Sequence, residues 1–105
     1  MDARKRKRLE SKGWKVGTAA EFLGLSPDEA TLVEIRLALS RALRQRRQHQ
    51  MTQVELAKRI QSSQPRVAKA EGGDSSVSLD LLIRAILATG ATPREIGRTI
   101  AGVAE

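Results

Sequence analysis

The stretch from Thr52 to Gly73 constrains the fold more than any other part of the chain. Leu56, Ile60 and Val67 are spaced to bury the inner faces of two short helices. Two such helices, crossing steeply, need a small residue where their backbones approach, and Ala57 supplies it. Gln61 to Ser63 makes the turn between them, with Ser63 placed to cap the second helix. The run from Gly72 to Ser76 is loop material. The spacing predicts helices over Gln53–Ile60 and Gln64–Glu71, joined as a helix-turn-helix.

The rest of the chain also reads as helix. Three boxes of the form Ser/Thr-x-x-Glu mark helix starts, at Thr18–Glu21, Ser26–Glu29 and Thr92–Glu95. The last two carry Pro27 and Pro93 at the first helical position, where a missing N–H costs nothing. A helix from Pro27 to about Gln48 would run for roughly 33 Å. It places Leu32, Ile35, Leu39, Ala42 and Leu43 on one face, with Arg36, Arg41, Arg44 and Arg47 largely elsewhere. Val33 and Leu37 form a second apolar edge, to be covered by the segment before it or by another subunit. Further helices are expected over Leu79–Thr89 and Pro93–Ala101. The first has Leu79, Leu82, Ile83, Ile86 and Leu87 as its buried stripe and Gly90 as its stop, and Ile96 and Ile100 extend the core. No stretch alternates long enough to argue for a strand. The fold class is therefore all-α, a five-helix domain over residues 27–105. Residues 13–26 form an extension with a short helix, and 1–12 a flexible basic arm. Trp14 and Phe22 in the extension either pack as a small satellite cluster or present a partner-docking surface.

Charge narrows the function. The chain carries 19 basic and 12 acidic residues, a net charge of +7 and a pI near 10.8, which favours a polyanionic partner. The positive charge gathers in two places, the run Arg4, Lys5, Arg6, Lys7, Arg8 and the segment Arg41–Lys69. There is no cysteine, and His49 is the one histidine, so disulfides, thiolate metal sites and Cys or His nucleophile pairs are excluded. No carboxylate pair sits in an apolar setting suited to acid–base work. An enzyme is not expected, nor is a metal or cofactor. RNA is disfavoured because no aromatic stacking platform exists. No apolar run is long enough to span a bilayer and no secretory signal pattern follows the basic start, so the expected compartment is the cytoplasm.

The second helix of the motif would hold Gln64, Pro65, Arg66 and Lys69 outward. Amide and guanidinium groups at a helix N-terminus are what major-groove base edges require, so these four are the candidates for base readout. Thr52, Gln53, Lys58, Arg59 and Ser63 are the candidates for phosphate contact. Lys58 and Arg59 have a bland alternative as the solvated side of their helix, and Arg66 has one as a phosphate ligand. The arm Arg4–Arg8 either stays solvated or tracks phosphates and the minor groove.

At Thr52-Gln53-x-Glu55-Leu56-Ala57, Ser63-Gln64 and Glu71-x-Gly73 the chain resembles the Xre/Cro-type helix-turn-helix proteins, which include the lambdoid phage repressors. The resemblance spans about residues 35–90 and implies a λ-repressor-like fold. It implies that Gln53 bonds a phosphate and braces Gln64, that Gln64 pairs with an adenine edge, and that Lys69 reads a base further along. Gln61 departs from the family by standing where a turn glycine is common, and Pro65 by filling a position that is often polar. A proline there has only a thymine methyl to touch. The run Ser62–Lys69 followed by Ser78–Leu82 is similar to the HigA-like antitoxin subgroup. Two functions follow from these resemblances. One is a homodimeric transcriptional regulator, a repressor, on a pseudo-palindromic double-stranded DNA operator. The alternative is an antitoxin that neutralises a cognate toxin protein and represses their shared operon.

The arm offers positive charge without fixed geometry, which gives a first prediction. Deleting residues 1–10 weakens binding to all DNA alike and leaves the ranking of operator variants unchanged. The slope of log K against log salt becomes shallower by about 0.9 for each phosphate no longer engaged. An unchanged slope identifies the arm as a solvated tail, and a changed ranking at A·T-rich flanks identifies minor-groove insertion.

Overall fold

The computed structural model describes residues 24–103. The basic arm, Trp14, Phe22 and the helix expected to open at Thr18 lie outside them. The chain divides into two units, residues 1–34 and 35–105, and the buried core belongs to the second. Among the described residues there are five helices and no strand: α1 Pro27–Gln48, α2 Gln53–Arg59, α3 Gln64–Glu71, α4 Leu79–Ala88 and α5 Pro93–Val103.

Local chemistry explains where each helix begins. At α1 the Ser26 hydroxyl accepts from the Glu29 amide at 3.1 Å while the Glu29 carboxylate accepts from the Ser26 amide at 2.9 Å. The same reciprocal box opens α2 at Thr52 and Glu55 and closes over the start of α5 at Thr92 and Glu95. Ser63 caps α3 by accepting from the Arg66 amide, and Ser78 caps α4 by accepting from the Leu81 amide. Asp28 and Glu29 in the first turn of α1, with Arg46 and Arg47 in its last, both complement the helix dipole.

Left-handed residues set where the helices end. After α2, Ile60 is the cap and Gln61 turns to φ +54°. The Ser62 amide then donates to Ala57 O at 2.8 Å and the Gln61 amide to Lys58 O at 3.3 Å, satisfying carbonyls the helix leaves open. After α3 the pattern repeats with Gly73 at φ +76°, where the Asp74 amide donates to Lys69 O at 3.0 Å. Gly90, at φ +93°, stops α4 as expected.

The core is built from Leu39 and Leu43 of α1, Leu56 and Ala57 of α2, Val67 and Ala70 of α3, Leu82 and Ile86 of α4 and Ile96 of α5. Ile60, Met51 and Val77 close it from the connections. Ala57, Leu56, Ile60 and Val67 are buried as the motif requires. Other expectations are corrected. Leu32 is 45% exposed, because it lies in the first turns of α1, before the core begins. Leu87 is 43% exposed, and Leu79 and Ile83 are only partly buried. The inner face of α4 is Leu81, Leu82, Ala85 and Ile86, turned from the expected stripe toward Leu81 and Ala85. On α4's other side Arg84 reaches Ile60 O at 2.7 Å, tying that face to the end of α2. Leu37 is not a free apolar edge either: a Cβ on Gly73 would stand 2.8 Å from its Cδ2, so the loop after α3 lies directly against it. Ile96 is buried in the chain's own core and Ile100 packs against it, as expected.

Gly73 and Gln61 respond oppositely to substitution. Gly73→Ala puts a side chain at positive φ and against Leu37, and should cost about 1–2 kcal/mol in urea denaturation. Gln61→Gly removes a similar strain but loosens the unfolded chain, for a net gain of up to about 1 kcal/mol.

Candidate nucleic-acid interface

A carboxylate buried at the end of α3 organises this surface. Glu71 follows Val67 by one helical turn and so points inward, where it is 8% exposed. A charge in that position needs partners. Arg47, from the last turn of α1, meets it with both Nε and Nη2, the second at 2.9 Å from Oε1. Such a two-pronged pairing fits the planar guanidinium. The third proton donor to Glu71 comes from α2: the Gln53 amide donates to Oε1 at 3.1 Å. Gln53 then uses its own Oε1 to accept from Gln64 Nε2 at 2.6 Å. Arg47 also donates to Met51 O at 3.2 Å, which fixes the connection ahead of α2.

This chain of bonds runs from the buried end of α3 to its exposed beginning. The bracing of Gln64 by Gln53 is present as the resemblance implied, while the remaining amide valences of Gln64 face outward. Gln64, Pro65, Arg66 and Lys69 all lie along the outer side of α3, and all four are exposed. Thr52 and Ser63 spend their hydroxyls on capping, at Glu55 N and Arg66 N. Lys58 is exposed, and Arg59 rests its guanidinium 3.4 Å from Ala88 O at the end of α4. Beside Gln64 the surface is concave, lined by His49, Gln50, Thr52, Gln53 and Val54.

Protonation follows the same contacts. Burial by itself would push the Glu71 carboxyl up, but the Arg47 and Gln53 hydrogen bonds and the Arg47 charge outweigh it and hold it below the ordinary carboxylate range. Arg47 is raised, first by its hydrogen bond to Glu71. Glu55 is lowered by the Thr52 backbone and hydroxyl bonds, and Glu95 likewise by those of Thr92.

Sequence reasoning placed Arg47 among the outward arginines and saw Glu71 only as part of a pattern. A signal was there: Glu71 lies four residues after the core residue Val67, a register that carries a side chain inward. Among the described residues no group of acidic or histidine side chains is placed to hold a metal, and no helix is long and apolar enough to cross a membrane.

Compared with known proteins, residues 41–96 match the sequence model of the helix-turn-helix family, more than half of the chain. No curated protein and no solved structure matches the chain.

The network makes a stability prediction. Glu71→Gln leaves Arg47 buried without its counter-charge and should cost about 2–4 kcal/mol. The native Glu71 binds its proton less tightly than in the unfolded chain. Its contribution is therefore complete above the ordinary carboxylate range, about pH 5, and fades as pH falls through and below it. Urea midpoints between pH 7 and pH 3 check both statements: the wild-type protein loses stability on acidification more steeply than Glu71→Gln.

Proposed function

The chain belongs to the Xre/Cro-type helix-turn-helix family, and from that premise we propose that it is a repressor that reads a pseudo-palindromic operator as a homodimer. DNA-binding transcriptional regulation is the activity of the family itself. The observation that carries the finer reading is the Glu71–Gln53–Gln64 chain, which holds an amide at the head of an exposed helix in one orientation. An amide so held can make a two-bonded contact to an adenine edge, N6 and N7, in the major groove. Arg66 and Lys69 extend the reading along α3, Pro65 offers only an apolar contact to a thymine methyl, and Thr52, Gln53, Ser63, Lys58 and Arg59 border the phosphates. The basic arm adds further phosphate contact.

One such motif covers a half-site, so two heads about 34 Å apart supply useful affinity. With Leu37 and Ile96 committed to the chain's own packing, the exposed apolar side chains Leu32, Val33 and Leu87 are the places for a subunit contact. The same Leu32 and Val33 favour a second reading, the antitoxin one suggested by the HigA-like run, in which a toxin covers them. Loss of a co-purified toxin on Val33→Glu, with operator binding intact, would establish it.

Binding to a panel of operator variants tests the main reading. Gln64→Ala costs about 1–3 kcal/mol on the operator and flattens preference at one or two base positions. Lys58→Ala weakens operator and random DNA equally. Sedimentation of the complex gives two chains per operator. An intact preference profile in Gln64→Ala, or a one-to-one complex at full affinity on a single half-site, overturns the proposal.

A further inference from the structure

We propose that His49 is a protonation-dependent phosphate contact at the edge of the DNA-reading surface, so that affinity for DNA rises as pH falls from 7.5 to 5.5. The inference rests on the reading of α3 as the recognition helix and names a contact that the helix-turn-helix pattern itself does not include.

The placement of His49 carries it. The imidazole is exposed in the turn that follows α1 and lines the same concave surface as Thr52, Gln53 and Gln64. That turn is held on both sides. The Gln50 and Met51 amides both donate to Arg47 O at 2.9 Å. The Gln50 side chain donates to Thr89 O at 2.8 Å, and the Met51 side chain is sunk into the core. His49 is thus presented from a fixed backbone beside the head of α3. A duplex with its base edges against Gln64 carries a phosphate backbone on either side of the groove, and the concavity that His49 lines borders Gln64 and the phosphate candidates Thr52 and Gln53.

The charges around it are accounted for. Arg47 on α1 lines the same concavity and is spent on the buried Glu71 of α3, and Arg46 on α1 is paired with Glu95 of α5. Glu55 on α2 is the opposing charge on the concave wall, occupied with the Thr52 amide at 2.9 Å and countered by Lys58 and Arg59. Glu55 and Glu71 both lie below the ordinary carboxylate range, so neither changes charge between pH 7.5 and pH 5.5. Imidazole is the side chain that ordinarily does so in that window. The chain holds one histidine and no cysteine, so a single substitution removes the imidazole from the comparison. A protonated ring adds two charged donors and one counter-ion to be released when a phosphate arrives.

The test measures operator affinity of the full chain at pH 5.5, 6.5 and 7.5 and several salt concentrations, for wild type, His49→Gln, His49→Arg and Gln64→Ala. The wild type binds about three- to tenfold more tightly at pH 5.5 than at pH 7.5, the scale of one charge-assisted contact. Its salt slope steepens by about 0.9 over the same range. His49→Gln loses both changes, while His49→Arg binds at pH 7.5 as the wild type does at pH 5.5. Retention of the wild-type pH dependence in His49→Gln, or no gain for His49→Arg at pH 7.5, overturns the inference. Gln64→Ala separates the His49 contact from the recognition helix. If it loses base preference but keeps the pH effect, both stand. If its base preference is unchanged, the recognition-helix reading fails, whatever His49 does.

Discussion

Glu71 must be ionised, because a guanidinium lies against it, and it must be buried, because α3 turns it inward. Those two demands shape the part of the molecule where α1, α2 and α3 meet. Removing a carboxylate from water costs several kcal/mol, and an attraction to one cation recovers that only when the remaining lone pairs are also satisfied. Arg47 alone does not exhaust the acceptor capacity of Glu71, and Gln53 supplies the next donor. A side-chain amide that gives its N–H to Glu71 turns its own oxygen outward, and Gln64 is what that oxygen receives. The orientation of the exposed glutamine is thus a consequence of neutralising a buried charge two bonds away. Helices α1, α2 and α3 all contribute to that solution, so the pose of Gln64 depends on how the three meet and not on α3 alone.

The backbone meets a matching requirement at the turns. Four residues join α2 to α3, and α2 is stopped within two residues of its end by a left-handed position. Gln61 takes that conformation although it carries a side chain, at a cost of about 1 kcal/mol that the tertiary structure covers. At the far end of α3 the same device uses glycine, and there the need is double, since Leu37 closes the space a side chain would occupy. A glycine at one end and a tolerated glutamine at the other differ in the room around them rather than in their backbone.

What was legible in the sequence is what depends on neighbours along the chain. The capping pairs Ser26–Glu29 and Thr92–Glu95 and the Ser63 cap are interactions over three residues, and each forms as read, while the Thr52–Glu55 box obeys the same rule and was not read. The buried set Leu56, Ala57, Ile60 and Val67 follows from helical periodicity and is also as read. What was missed depends on approach in space. The inner face of α4 is decided by how the preceding helices meet it, and a sequence rich in Leu and Ile around most of α4 does not say which of them wins. The closeness of Leu37 to Gly73 joins positions 36 residues apart, and the Arg47–Glu71 pair joins positions 24 apart. Ser78 was readable as a cap by the same rule as Ser63 and was passed over because no glutamate follows it three residues later.

The basic residues divide on the same principle. Arg36 donates to Val77 O, Arg84 to Ile60 O, Arg46 to Thr89 and Glu95, and Arg47 to Glu71. These four arginines hold loops and helix ends, and their forked planar head suits that work better than a lysine ammonium would. Two of them are charge-neutralised by their partners, so part of the net +7 is not offered outward at all. Lys58, Arg66 and Lys69 make no salt bridge among the described residues and remain on the surface of α2 and α3. The electrostatic attraction a polyanion meets on this unit therefore comes from fewer side chains than the composition counts. Those side chains sit next to the Gln64 amide that Gln53 braces, the pairing of charge with a held hydrogen-bonding group that the proposed reading of DNA calls for.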